Sequence, residues 1–236
     1  MDSRSGAAAA LPPDIAHWRK GMRAELIARR AAVPPAARRD WNLAISLLLL
    51  HALPLAPGAI IGFCWPHKGE YDARPLLRLL RGRGIQCALP VVRRPSEPMI
   101  FRLWWPGVAM QAGALGIPSP VDTRTVDPDL LLVPLVGFGR AGDRLGYGGG
   151  YFDRTLAALA RRPLCIGVGY ELARVETTFP QPHDIPMDAI ATEAGLRWRE
   201  AGALQELTAQ GLRTRLADLA RERHERWRLE APTLPG

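Results

Sequence analysis

The chain has 236 residues, 47% of them apolar and 23% charged, the composition of an ordinary soluble globular protein with a sizeable core. That excludes the mini-protein, collagen-like and wholly disordered classes. The formal net charge is +8, from 31 basic and 23 acidic residues, and all the basic residues except Lys20 and Lys68 are arginine. The arginines are dispersed, so the charge suits polyanionic small molecules and does not by itself point to nucleic acid. Cys64, Cys87 and Cys165 lie far apart in apolar runs with no CxxC pair, which reads as core thiols in a reduced, cytoplasmic protein. Ala7–Leu11 is too short for a signal-peptide core. Leu43–Ile61 is broken by Ser46, His51, Pro54, Pro57 and Gly58, so no membrane span is expected.

Residues 1–13 read as a disordered tail. Asp14 to Ala31 has the spacing of a basic amphipathic helix, with Ile15, Trp18, Met22, Leu26 and Ile27 on its apolar side. Pro34-Pro35 stops it, and Ala36 to Leu53 is a second helix. Ala59 to Trp65 is a buried strand. After the loop Pro66–Tyr71, Asp72 to Arg83 is a helix with Leu76, Leu77, Leu79 and Leu80 facing inward, ended by Gly84.

Ile85–Val92, Met99–Trp105 and Leu130–Val136 follow as strands. Pro134 requires either an edge or a local break in the ladder. A glycine-dense loop, Gly137–Gly150, leads into a helix at Tyr151–Arg162. Pro163–Tyr170 and Asp188–Thr192 are further strands, and Ala203–Trp227 is a charged helix. Apolar strands alternating with helices predict a three-layer α/β fold, a mostly parallel sheet with helices on both faces. The expected division is a single α/β domain over residues 14–200 and a helical extension over residues 201–236.

Seven of the fourteen residues from Gly137 to Gly150 are glycine. Glycine reaches positive φ and lets backbone N–H groups approach a ligand. A loop of this kind between a strand and a helix can cradle phosphate. Arg144 adds a fork suited to phosphate oxygens. Asp153 can serve as a helix N-terminal charge or hold Mg²⁺ beside phosphates. No Gly-Lys-Ser/Thr occurs. Gly137, Gly139 and Gly142 form a literal GxGxxG, but the glycines after it will not start a helix, so a dinucleotide fingerprint is rejected. The plainer alternative is a long mobile connection.

Arg144-Leu-Gly-Tyr-Gly-Gly-Gly-Tyr-Phe-Asp-Arg154 resembles the signature of the 5-formyltetrahydrofolate cyclo-ligase family, also called methenyltetrahydrofolate synthetase. Three weaker pieces resemble the same family in the same order. They are Arg19-Lys-Gly-Met-Arg23, Glu70-Tyr-Asp with the following leucine-rich helix, and His183-Asp-Ile-Pro-Met-Asp188 with Thr192-Glu193. Together they span about residues 15–196.

The resemblance implies a NagB/RpiA/CoA transferase-like arrangement and ATP-dependent closure of 5-formyltetrahydrofolate to 5,10-methenyltetrahydrofolate, with release of ADP and phosphate. The formyl oxygen would attack the γ-phosphate before the ring closes. By the same resemblance Arg19, Lys20, Arg23, Arg144, Leu145, Gly146, Tyr147, Gly148, Gly149, Gly150, Tyr151 and Phe152 would hold ATP. Trp65, Glu70, Tyr147 and Tyr151 would contact the folate, and Arg144 and Tyr151 would be catalytic. Asp153 and Asp184 would bind Mg²⁺. The expected partners are the folate and ATP, with no nucleic acid and no membrane, and the expected state is a monomer.

Without the resemblance, Glu70 reads as a solvated acid, Asp184 as a turn residue, Arg19 and Arg23 as a solvated helix face, and Trp65 as core. The family often carries lysine where this chain has Gly149. That departure keeps a second reading open, a nucleotide- or folate-binding paralogue without turnover. RNA binding by the arginines of residues 213–228 is a third reading, opposed by Asp218, Glu222, Glu225 and Glu230.

Overall fold

The structure is a computed structural model and describes residues 14–222. The tail expected at residues 1–13 and the remainder of the expected helix and extension, residues 223–236, lie outside the described residues. The helices are α1 (Ile15–Ala31), α2 (Pro35–Ala52), α3 (Arg74–Arg81), α4 (Tyr151–Ala158) and α5 (Ala209–Glu222). Among the strands, β1 (Ile60–Phe63), β2 (Gln86–Val91) and β3 (Ile100–Trp104) come first. Three short strands follow, β4 (Met110–Ala112), β5 (Pro118–Pro120) and β6 (Thr125–Val126). Next come β7 (Leu130–Pro134), β8 (Gly137–Phe138), β9 (Arg144–Leu145) and β10 (Leu164–Val168), and then β11 (Ala189–Thr192), β12 (Gly195–Glu200) and β13 (Ala203–Leu207).

Nine strands form the main sheet in the order β13-β12-β11-β10-β7-β1-β2-β3-β6. The central run β11-β10-β7-β1-β2 is parallel. Antiparallel strands flank it on both sides. Alternate residues feed two cores. Ile61, Phe63, Leu130 and Leu132 pack with Ile45 and Leu49 of α2, Leu76 and Leu77 of α3, and Leu212 and Leu216 of α5. Ile60, Leu131, Val133 and Cys165 pack on the other face with Leu156 of α4. Period-2 alternation into two apolar layers is what a sheet covered on both faces requires.

Asp14 caps α1 by accepting from the His17 N–H at 2.9 Å. Pro35 opens α2, where its missing N–H costs nothing. Pro134 ends β7 beyond the last β1 partner, Leu132, and faces only Val168 of β10, so its tolerance comes from a break in the ladder and not from an edge. Two expectations are corrected. Leu79 is 60% exposed. At about 100° per residue it lies away from the stripe made by Leu76, Leu77 and Leu80. Ala203–Leu207 is strand and not helix, because Ala201 (φ 49°) and Gly202 (φ 81°) turn the chain back onto β12. The boundary expected at residue 200 therefore falls inside a hairpin, and α5 completes the same core.

Among the described residues no helix is long and apolar enough to cross a membrane. The three cysteines are free, and burial pushes the Cys87 and Cys165 thiols up to about 12.

Candidate active site at the switch point of the sheet

From β1 the chain moves outward through α3 to β2. From β7 it moves the opposite way through α4 to β10. The loops after β1 and β7 therefore diverge, and the crevice between them lies beyond the carboxyl ends of parallel strands, where open α/β sheets bind ligands. One wall is residues 64–73 and the other is the glycine loop.

The glycine loop has internal structure. β8 and β9 form a short hairpin, Gly137 opposite Leu145 and Phe138 opposite Arg144. Past it, Gly148 (φ 94°) and Gly150 (φ 62°) occupy the left-handed region, which favours glycine. Gly150 leads straight into α4, so Asp153 falls in the first helical turn.

Arg144 is buried. Its Nη1 donates to the Ile185 carbonyl at 2.6 Å and its Nη2 pairs with Asp153 Oδ1 at 2.7 Å. The same Asp153 oxygen accepts from the Ile185 N–H at 2.9 Å. This arrangement locks the base of the loop to the segment 183–188. Both terminal nitrogens of Arg144, expected to reach phosphate, are thus engaged by protein acceptors. Asp184 forms an ion pair with Arg19 Nη1 at 2.9 Å and accepts from the Gln181 N–H at 2.8 Å. Each carboxylate expected at a metal thus already carries an arginine. Among the described residues no group of three His, Cys, Asp or Glu side chains could hold a metal.

Helix α1 crosses the crevice as a strap. Leu26 packs with Val136 and Leu145 beneath it. Arg23 Nε donates to the Gly146 carbonyl at 2.7 Å, and the Arg23 guanidinium covers Gly148. Burial, then the charge of Arg19, lower the Arg23 guanidinium from its usual value, against the opposing pull of Asp184. Arg19 Nε is buried without a hydrogen-bond partner among the described residues, and so is Arg154 Nε. Arg154 Nη2 donates to the Gly149 carbonyl at 2.7 Å, and the guanidinium lies 5.0 Å from the Tyr151 ring. Lys20 is exposed. Phe152 lies beneath Arg144, 5.8 Å from its guanidinium, and packs into the α4 core. A Cβ on Gly149 would lie 2.9 Å from the Tyr151 ring, so a lysine there would displace Tyr151.

On the opposite wall Glu70 is buried. Its Oε1 accepts from the Tyr147 hydroxyl at 2.8 Å and its Oε2 from the His67 N–H at 2.9 Å. Burial raises the Glu70 carboxyl, and the hydrogen bonds from Tyr147 and His67 and the charge of Arg30 offset only part of that. Trp65 stands at the end of β1, half-buried, with the Arg74 guanidinium 4.5 Å over its ring and Trp104 edge-on at 6.3 Å. Trp104 is core and Trp105 is exposed.

Sequence reasoning passed over Arg30, which contacts both walls. The available signal was its place on α1, seven residues beyond Arg23 and eleven beyond Arg19, on one helical face. A groove of about 360 Å³ along another face of α1, between Trp18, Met22, Val175 and Phe179, is lined by none of the candidate residues.

Residues 15–193 match the sequence profile of the 5-formyltetrahydrofolate cyclo-ligase family. The chain is 29% identical over 171 residues to 5-formyltetrahydrofolate cyclo-ligase of Escherichia coli, covering 70% of this chain and 94% of the relative. It is 30% identical over 179 residues to the Mycolicibacterium smegmatis enzyme of that name, covering 72% and 91%. The fold is similar to the structure of Aquifex aeolicus 5,10-methenyltetrahydrofolate synthetase, with a TM-score of 0.66 and 28% identity over 80% of this chain and 96% of that one.

Proposed function

The chain belongs to the 5-formyltetrahydrofolate cyclo-ligase family, and from that premise we propose that it converts 5-formyltetrahydrofolate and ATP to 5,10-methenyltetrahydrofolate, ADP and phosphate. Support comes from the crevice itself. A glycine loop rich in backbone donors faces a buried carboxylate across the switch point, and two guanidinium Nε groups beside the loop have no acceptor among the described residues.

Arg19 Nε and Arg154 Nε are donors that ATP phosphate oxygens would satisfy. Arg19 and Arg23, on successive turns of α1, close over the loop as a pair of like charges that an anion would relieve. Lys20 adds charge at the exposed rim. The backbone of Leu145, Gly146, Tyr147, Gly148, Gly149 and Gly150 cradles the phosphates, with Tyr151 and Phe152 leading into α4. The part of Arg144 is to fix this loop through Asp153 and Ile185. Its catalytic contribution is rigid positioning of the phosphoryl group, the chief demand of phosphoryl transfer.

Glu70 suits the N–H edge of a pterin, and Trp65, Tyr147 and Tyr151 offer aromatic faces to its ring. Asp153 and Asp184, each also paired with an arginine, would be the carboxylates to hold a Mg²⁺, an ion that commonly takes only one or two protein carboxylates beside substrate phosphates. Such an ion, when bound, neutralises phosphoryl charge. The reaction forms a C–N bond at the formyl carbon and sends the formyl oxygen away on phosphate.

The test is a spectrophotometric assay of the purified chain with 5-formyltetrahydrofolate, following the methenyl product with and without MgATP. ATP-dependent product is expected. Folded protein that makes none refutes the proposal.

A further inference from the structure

Arg30 is buried in α1, and its fork reaches three segments far apart in sequence. Nε donates to the Lys68 carbonyl at 3.1 Å, Nη1 to the Leu135 carbonyl at 3.0 Å, and Nη2 to the Tyr147 hydroxyl at 2.7 Å. The Tyr147 hydroxyl in turn donates a hydrogen bond to Glu70 Oε1 at 2.8 Å, and Arg30 Nη2 lies 3.9 Å from that same oxygen. A permanently charged guanidinium is thus joined to a buried carboxylate through one phenol.

The charged and titratable groups facing Glu70 are Arg30 from α1, Tyr147 from the glycine loop, His67 from its own loop and Cys64 from the end of β1. Arg30, and the hydrogen bonds from Tyr147 and the His67 backbone, favour the ionised carboxylate, while burial opposes it. A carboxylate accepts hydrogen bonds, whereas a carboxylic acid presents a donor to any N–H edge it meets.

We infer that Arg30 is a positioning residue for the folate side of the crevice, acting through Tyr147 to hold Glu70 turned toward the substrate as an acceptor. The inference rests on the cyclo-ligase reading. It also joins the two half-sites, because the phenol that orients Glu70 belongs to the glycine loop. A purely structural Arg30 would tie the walls together through Lys68 and Leu135 and have no need of the Tyr147 hydroxyl.

Tyr147→Phe separates the two roles. It removes one oxygen from a residue that is 42% exposed and leaves the Lys68 and Leu135 bonds of Arg30 intact. Steady-state kinetics on the full chain, varying each substrate and pH, supply the readout. Tyr147→Phe is expected to raise KM for the folate about tenfold, the worth of one charge-assisted hydrogen bond. KM for ATP is expected to stay within about twofold. Loss of a bond that favours the ionised form also moves the acid limb of kcat/KM for the folate to higher pH.

Arg30→Met moves both quantities further in the same direction. Arg30→Lys keeps the charge and restores the acid limb without restoring KM. If Tyr147→Phe and Arg30→Met both leave folate KM and the acid limb at their wild-type positions, the inference is overturned, whatever happens to the melting temperature. Wild-type chain without ATP-dependent product would instead refute the cyclo-ligase reading, so the two failures are distinguishable.

Discussion

Replacing Asp153 with alanine separates a structural strut from a metal ligand. Arg144 and Asp153 are almost wholly shielded, with side-chain exposures of 6% and 15%, and Asp153 Oδ1 serves both Arg144 and the Ile185 N–H. Removing one partner leaves a buried guanidinium uncompensated, which costs about 3–5 kcal/mol. A typical domain holds only about 5–15 kcal/mol in all. With a urea m value of about 2 kcal/mol/M, the midpoint drops by roughly 1.5–2.5 M.

The assay is urea denaturation followed by circular dichroism in metal-free buffer, with no nucleotide present. Arg144→Ala with Asp153→Ala removes both charges, and its cost falls short of the sum of the single variants by about 1–3 kcal/mol. Loss of activity in Asp153→Ala would not discriminate, since either role predicts it. A midpoint shift smaller than about 0.5 M would refute the strut, because no buried, paired arginine loses its counter-charge so cheaply.

Two further outcomes follow from the geometry. Gly148 has φ 94° and would bring a Cβ to 3.3 Å from the Arg23 guanidinium carbon. Gly148→Ala should therefore cost about 1–3 kcal/mol in thermal melts and raise KM for ATP, whereas an unchanged melting temperature would contradict the loop conformation. Glu171 accepts from Arg197 at 2.8 and 3.0 Å and from the Thr192 hydroxyl at 2.8 Å. Burial pushes its carboxyl up, but these bonds and the charges of Arg197 and Arg174 outweigh burial, so the net displacement is downward. A carboxyl lowered in the folded state adds stability above its unfolded pKa and loses it as pH falls through the lower folded value. Glu171→Gln should accordingly be less stable than wild type at neutral pH. The gap should narrow on acidification below the usual glutamate range, and a gap independent of pH would count against the pairing.

Much of the fold was legible in local patterns. The capped amphipathic helix α1, the proline start of α2 and the apolar runs at β1, β2, β7 and β10 all follow from short-range periodicity and end signals. The glycine loop was legible too, because left-handed backbone at Gly148 and Gly150 demands a particular residue type. Ala203–Leu207 was misread because its composition favours helix, while the Ala201-Gly202 turn and the open edge of β12 favour a strand. Local propensity gives way when a hairpin offers both a backbone ladder and a face to bury.

Residue types and their order along the chain determined the α/β class, the glycine loop and most of the candidate donors. Only the tertiary structure decided which charges remain available. Arg144 and Arg30 look alike in sequence, as do Asp153 and Glu70 within their pairs. Yet Arg144 is committed to Asp153 and Ile185, while Arg30 gathers Lys68, Leu135 and Tyr147 from positions 38, 105 and 117 residues away. A buried guanidinium must satisfy its fork wherever packing brings acceptors, and that assignment depends on distances in space that no spacing along the chain encodes.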